Sequence, residues 1–207
     1  ALGVEVWRRL RDVADASIET TPQNLFFTAA DYETQGAALK ASPPLRSRSD
    51  VDALRTALKA GGLDIVATDH APHAPAEKAA AFLAFADIPG GMAGLQTLLQ
   101  TMLRLVEDGI VGFPDIARLC AERPAERFGL ASKGRVADGY DADLLILDPR
   151  ETSTITQAEQ VSRAGHTPFA GWTVQGRLRN VFLRGQEIVR DGALVTQRCG
   201  KVVRRGR

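Results

Sequence analysis

The densest chemistry in this 207-residue chain is the run Ala67-Thr68-Asp69-His70-Ala71-Pro72-His73-Ala74-Pro75. A carboxylate fixed at a strand end can bind a divalent cation and take a proton from the water on it, because the cation pulls that water's pKa toward neutrality. Asp69 is therefore a candidate for metal ligand and general base together. His73 follows four residues on, past a proline that restricts the turn, where it can donate a hydrogen bond to a substrate anion in the same mouth. His70 points elsewhere if the local backbone is extended. An isolated D-H-x-x-H also reads as two capping or surface histidines. Three features shift the balance toward chemistry: an apolar strand before it, the loop Ser42-Pro43-Pro44-Leu45-Arg46 one β-α unit earlier, and Pro89-Gly90-Gly91-Met92-Ala93-Gly94 after it. Glycines let backbone N–H and C=O groups approach a ligand closely, as recognition of a planar cyclic amide would require, although such a stretch also serves as a helix-entry loop.

The elements that must position these residues follow from periodicity and punctuation. Val6, Trp7, Leu10, Val13 and Ala14 recur at helical spacing and predict an amphipathic helix over Val4 to Ala16. A short strand is expected from Ser17 to Thr21, ended by Pro22, and Thr28 with Asp31 reads as the cap of a short helix reaching Leu39, weakened by Gly36. Ser49 with Asp52 reads as the cap of the next helix, with Gly61-Gly62 as its left-handed exit. The apolar run Ile65-Val66-Ala67 predicts a buried parallel strand over Leu63 to Thr68 that delivers Asp69, His70 and His73 at its C-terminal end, the catalytic end in α/β barrels. His73 to Met92 carries no clear pattern. Gly94 to Glu107 reads as a helix with Leu95, Leu98, Leu99, Met102 and Leu103 inward and Gly109 closing it. Helical turns opened by Pro114 and Pro124 run to Phe128. The character then changes, placing a domain boundary near residues 129 to 135, with strands expected over Ala142 to Leu147, Gly176 to Leu183 and Glu187 to Val189 and a hairpin turn at Arg184-Gly185-Gln186.

Composition bounds the partners. With 44% hydrophobic and 25% charged residues the chain is an ordinary globular one. Twenty-six basic and twenty-five acidic side chains nearly cancel, so no broad field is expected to gather nucleic acid or an anionic membrane. The basic tail Lys201, Arg204, Arg205 and Arg207 is expected to be solvated. Cys120 and Cys199 form no C-x-x-C pair and suit a reducing compartment, with the cytoplasm expected. No apolar run approaches a membrane span, and a start at Ala1 without Met or signal-peptide character fits a segment internal to a longer product.

Ala67 to Lys78, A-T-D-H-A-P-H-A-P-A-E-K, is similar to the signature of dihydroorotases, with K-A-S-P-P-L-R at Lys40 to Arg46 and G-G-M-A-G-L-Q-T at Gly90 to Thr97 in the expected order. Thr21 to Thr28 looks like the stretch following the sixth barrel strand and helix in that group, and Lys133 to Leu144 resembles the return of many amidohydrolases into a small β-sandwich. The resemblance implies an α/β fold: the last two β-α units of a (β/α)₈ barrel over residues 1–130, then β-sandwich strands and a basic tail over 131–207. By the same resemblance Asp69 is the eighth-strand metal-site aspartate and catalytic base, and His73 binds the substrate carboxylate. The backbone around Gly90 and Gly91 holds the ring amide, and the loop from Ser42 to Arg46 lines the pocket through its main chain. Zinc is implied, as one or two divalent ions, together with interconversion of dihydroorotate and N-carbamoyl-aspartate in pyrimidine synthesis.

Ser42 departs from the asparagine usual in dihydroorotases, and S-P-P is commoner in hydantoinases and allantoinases, which makes a ring opener of that kind the alternative. His73 favours a carboxylate-bearing substrate, since those relatives generally lack it. The family's H-x-H motif, bridging lysine and two further histidine ligands have no counterpart here, so the remaining metal ligands are expected outside this chain and the segment alone is expected to be inactive. His166 reads as a loop histidine. A third reading is a non-catalytic homologue that scaffolds aspartate transcarbamoylase, against which the retained Asp69 and His73 argue. Beyond a small cyclic amide, the expected partners are further copies of the chain and that transcarbamoylase.

Overall fold

The computed structural model describes residues 2–196 and 198–205. The start at Ala1 and the last arginine of the tail, Arg207, lie outside them. Helix α1 covers Leu2–Leu10, where periodicity predicted Val4 to Ala16. Val4 is its one fully buried residue, while Leu2, Val6, Leu10 and Val13 are exposed. An apolar stripe sustains a helix only as far as something packs on it, and residues 11–14 are turns and a bend instead.

Strand β1 (Glu19–Thr20) pairs in parallel with β2 (Ile65–Val66), with Thr20 opposite Val66. Both β2 side chains are buried, as a continuous apolar run demands of a strand covered on both faces. Asp64 fastens the entry to the pair: its N–H donates to the Ile18 carbonyl at 3.0 Å and its carboxylate accepts the Ile18 N–H at 2.9 Å. Pro22, expected only to end the first strand, also opens helix α2 (Pro22–Phe26), where its missing N–H costs nothing.

The Thr28–Asp31 cap forms as read: the Asp31 carboxylate accepts the Thr28 N–H at 2.6 Å and its hydroxyl at 2.7 Å. The helix behind it is broken into a 3-10 turn Ala29–Asp31, helix α3 (Tyr32–Gln35) and a second 3-10 turn Gly36–Leu39, the break falling at Gly36 with φ +53°. Helix α4 (Arg48–Lys59) is capped by Ser47, not Ser49: the Ser47 hydroxyl accepts the Asp50 N–H at 3.3 Å. Both serines carry an aspartate three residues on, and the earlier register gains an extra half-turn of hydrogen bonds. Ser47→Ala is expected to cost about 1 kcal/mol and Ser49→Ala less than half of that in urea unfolding; equal losses would return the cap to Ser49. Gly61, at φ +69°, supplies the left-handed exit as expected.

Within the stretch that carried no pattern the structure places helix α5 (Pro75–Lys78) and a 3-10 turn Phe85–Asp87. Helix α6 (Leu98–Glu107) starts four residues later than predicted, so Leu95 is 65% exposed rather than inward, and Leu105, absent from the predicted stripe, is fully buried. Gly109 closes it at φ +65°. Helices α7 (Phe113–Ala117) and α8 (Arg123–Phe128) are joined by a π-helical turn Arg118–Glu122, with Pro114 and Pro124 at their second rather than first positions.

Four antiparallel strands follow in the order β3 (Leu144–Thr154), β4 (Thr173–Leu183), β5 (Gln186–Arg190) and β6 (Ala193–Leu194). The β4–β5 connection is the two-residue turn Arg184-Gly185, both at positive φ, with Gln186 already in β5. Asp191-Gly192 repeats the device before β6, a strand not expected from the sequence. Lys133 ties the approach to β3 by reaching Asp141 at 2.7 Å and Asp143 at 2.5 Å, and those carboxylates hold its ammonium above the usual lysine range.

The helices and the long sheet share packing. Helix α6 lies on β4, where Gly176 at φ +119° leaves room for Leu103: an added Cβ would sit 2.9 Å from a Leu103 methyl. One core gathers Leu25, Leu58, Leu63, Val66, Met102, Leu105 and Leu119; a second gathers Phe27, Leu39, Ala41, Leu45, Met92, Ile155 and Phe169. Phe27 stacks on Phe169 at 5.1 Å and Phe26 meets Trp172 edge-on at 4.9 Å, so the segment between β3 and β4 is nailed to α2 by aromatics.

Candidate active site

Asp69 comes three residues after β2, on the C-terminal side of a buried parallel strand, and it is exposed. Its φ is +48°, in the left-handed region that aspartate tolerates better than most residues. The chain therefore turns sharply at Asp69 instead of running on, and this is why His70 does not point away. The His70 ring turns into the glycine-rich loop, where Nδ1 accepts the N–H groups of Gly94 at 3.1 Å and Leu95 at 3.2 Å. Accepting at Nδ1 leaves the ring proton on Nε2.

The three loops singled out from sequence form one knot of main chain. Ala71 N–H donates to Met92 O at 3.1 Å, and Gly91 N–H donates to Lys40 O at 2.9 Å. A Cβ on Gly91 would lie 2.0 Å from Ala71 O, one on Gly94 3.0 Å from Thr68 O, and one on Gly90 3.6 Å from Ser42 N. These glycines thus let the loop at 90–94 lie flat across both the Asp69 turn and the Ser42 loop. Gly91 spends its own N–H on the fold. Ala41 and Leu45 are buried and pin the ends of the proline loop, with Tyr32 Oη accepting the Leu45 N–H at 3.0 Å and Arg46 O accepting the Ala29 N–H at 2.8 Å. Between the pins Ser42, Pro43 and Pro44 stand exposed, as does the Arg46 side chain.

His73 is half-buried, its Nδ1 3.9 Å from the Glu77 carboxylate, which also accepts the Ala74 N–H at 2.6 Å. The His73 carbonyl meets Nε2 of His166 at 3.1 Å, so that loop histidine steadies the turn after Asp69. An open cleft of about 550 Å³ beside this turn is lined by His70, Pro72, Ala74 and Glu77 on one side and Ser162, Arg163 and Ala164 on the other. Asp69, His73 and Gly90 do not line it. The knot brings the Ser42, Asp69 and Gly90 segments together through their backbones, and no direct contact joins the Asp69 and His73 side chains.

Two buried polar residues escaped the sequence reading. Gln23 of α2 donates to Thr68 O at 3.4 Å, holding the last residue before Asp69. Lys78, only 3% exposed, donates to the carbonyls of Ala37, Ala38 and Lys40. Burial pushes its ammonium down to about 8, and the Lys40 charge adds to that. A lysine within a short alanine-rich run gives no periodic signal of burial. The cysteines are both free, and burial pushes the Cys120 thiol up to about 12, which keeps it protonated.

Among the described residues no group of three or more His, Cys, Asp or Glu side chains is placed to hold a metal ion, and no helix is long and apolar enough to cross a membrane. Catalytic zinc takes three protein ligands. The described residues do not bring three together.

A parallel strand ending in an exposed carboxylate, embraced by backbone loops, is a hydrolase-like arrangement, and comparison gives the class: residues 14–188 match the amidohydrolase family, to which the chain belongs. Within it, the chain is similar to the allantoinase of Bacillus velezensis, 37% identical over 184 residues covering 88% of this chain and 39% of that protein. It is likewise similar to the dihydroorotase of Mycobacterium tuberculosis, 38% identical over 194 residues covering 92% of this chain and 44% of that protein. In structure it resembles the D-hydantoinase (dihydropyrimidinase) from Thermus sp., with a TM-score of 0.94 and 28% identity over 99% of this chain and 46% of that one. The chain thus spans less than half the length of each of these relatives.

Proposed function

We propose that this chain is the C-terminal part of a metal-dependent cyclic amide hydrolase of dihydroorotase type, interconverting dihydroorotate and N-carbamoyl-aspartate. The observation that carries the reading is the exposed Asp69 carboxylate just after a buried parallel strand, on a segment that turns at φ +48° and packs backbone to backbone against the Gly90 loop, which also packs on the Ser42 loop. In this reading β1 and β2 with their helices are the last two units of a (β/α)₈ barrel over residues 1–130. The sheet of β3 to β6 is the C-terminal share of a small β-sandwich over 131–207.

Asp69 would be one ligand of a zinc site whose other ligands would come from outside this chain, and a divalent cation held there would supply Lewis acidity. The chain's own contribution is to move a proton: Asp69 Oδ would take it from the water that attacks the ring carbonyl and give it to the ring nitrogen as the C–N bond breaks. His73, steadied by Glu77 and His166, is the hydrogen-bond donor to the substrate carboxylate. The main chain of Ser42 to Arg46 and of Gly90 to Gly91 frames the planar ring, with the Gly91 N–H excepted because Lys40 O already holds it.

A second reading, opening of hydantoin or allantoin rings, is favoured by the serine at position 42 in place of the asparagine usual in dihydroorotases and by an allantoinase among the similar proteins. The test is a zinc-supplemented assay of the longest native polypeptide carrying this chain against dihydroorotate, hydantoin and allantoin. Dihydroorotate is expected to be turned over fastest; faster opening of either other ring assigns the second reading. The 207-residue chain by itself is expected to be inactive, and zinc-dependent turnover by it would overturn the claim that ligands lie elsewhere.

A further inference from the structure

We propose that Lys78 is a positioning residue of this site, its ammonium clamping the Ser42 loop and the Gly90 loop to the segment that carries His73. The mechanical part stands on the contacts, and its bearing on substrate rests on the ring-opening reading above.

A charge only 3% exposed is unusual, and among the described residues no carboxylate pairs with this one. Its partners are instead three carbonyl oxygens, of Ala37 at 3.1 Å, Ala38 at 3.3 Å and Lys40 at 3.0 Å. These are the carbonyls at the end of the 3-10 turn Gly36–Leu39 and just beyond it; Ala37 O also accepts the Lys40 N–H at 3.0 Å, while Ala38 O takes its donor from Lys78. An ammonium has three N–H donors and so matches them in number, where a neutral amine would leave one wanting.

The Lys40 carbonyl is the junction. It accepts Lys78 Nζ and, at 2.9 Å, the N–H of Gly91, while the chain running on from it is the loop Ala41 to Arg46. One oxygen therefore joins the recognition loops to α5, five residues along from His73. The Lys40 ammonium takes no part in this. It reaches Ala86 O at 3.4 Å and sits 4.9 Å above the Phe85 ring. Glu77, the neighbour of Lys78 on α5, is turned to Ala74 and His73. Replacing the ammonium by an apolar group takes one donor from each carbonyl and leaves the Ala38 carbonyl with no donor among the described residues, since Ala37 O keeps the Lys40 N–H and Lys40 O keeps the Gly91 N–H; the tie between α5 and the 37–46 segment is then lost.

The experiment compares Lys78→Met and Lys78→Arg in the longest native polypeptide, by hydrogen exchange and by ring-opening kinetics. Lys78→Met is expected to speed exchange about tenfold at the amides of residues 41, 42, 45, 46 and 90–92 with α4 and α6 unchanged, and to raise KM about tenfold with kcat held within about threefold. Lys78→Arg, which keeps a cationic donor, is expected to recover most of both. Unchanged exchange in the two loops, a uniform rise that includes α4 and α6, or no recovery with arginine overturns the proposal. Should the wild-type polypeptide open no ring at all, the functional reading fails and exchange alone decides the clamp.

Discussion

Replacing Asp69 by Asn is expected to lower kcat for ring opening by about a thousandfold while leaving the fold intact. Asparagine keeps the shape of the side chain but neither takes up a proton at neutral pH nor carries the charge that draws a cation. It also tolerates the left-handed region as aspartate does, so the backbone at φ +48° has no cause to relax. The side chain is exposed and makes no hydrogen bond among the described residues, so the unfolding free energy is expected to stay within about 1 kcal/mol of wild type. Measured on the longest native polypeptide, a kcat within tenfold of wild type would remove Asp69 from the chemistry.

The largest structural effect is expected at Gly91. An alanine there would place its Cβ 2.0 Å from the carbonyl oxygen of Ala71 and 2.8 Å from the Ala71 methyl, at a φ of +140° that side chains rarely adopt. Both obstacles belong to the segment between Asp69 and His73, and the nearer is backbone, so neither can rotate aside. Gly91→Ala is expected to destabilise by about 3 kcal/mol or more. Gly90→Ala is the matched control, because its Cβ would meet Ala41 C at 3.5 Å and Ser42 N at 3.6 Å, ordinary contact distances, and a loss under about 1 kcal/mol is expected. Denaturant midpoints of the two variants check this, and a Gly90→Ala loss as large as that of Gly91→Ala would refute the close-approach account.

Much of this arrangement was legible in the residues. The buried run Ile65-Val66 placed Asp69 after a parallel strand, the Thr28–Asp31 cap formed as spaced, and Gly61 and Gly109 ended their helices with positive φ. The misses have physical causes. Periodicity extended α1 to Ala16 because it registers a stripe without knowing what covers it, and most of that stripe meets no partner among the described residues. Gly94 to Thr97 was assigned to α6, yet Gly94 and Leu95 direct their N–H groups to the His70 ring, a long-range contact that no local pattern encodes. Ser47 and Ser49 offered equal capping chemistry by spacing, and in the structure it is Ser47 that leaves the helix in extended backbone and takes the Asp50 N–H. Lys78 was read as part of a motif and not as a buried cation, since burial of a lysine depends on acceptors some forty residues away.

The Lys40 junction, in which loops meet carbonyl to amide, has an evolutionary consequence. Where a recognition wall is assembled from peptide groups, the side chain at its crest is free to drift without disturbing the masonry beneath. Ser42 is an exposed side chain on such a wall, so under the proposed ring-opening function its exchange would be expected to retune which heterocycle is preferred while the frame is kept.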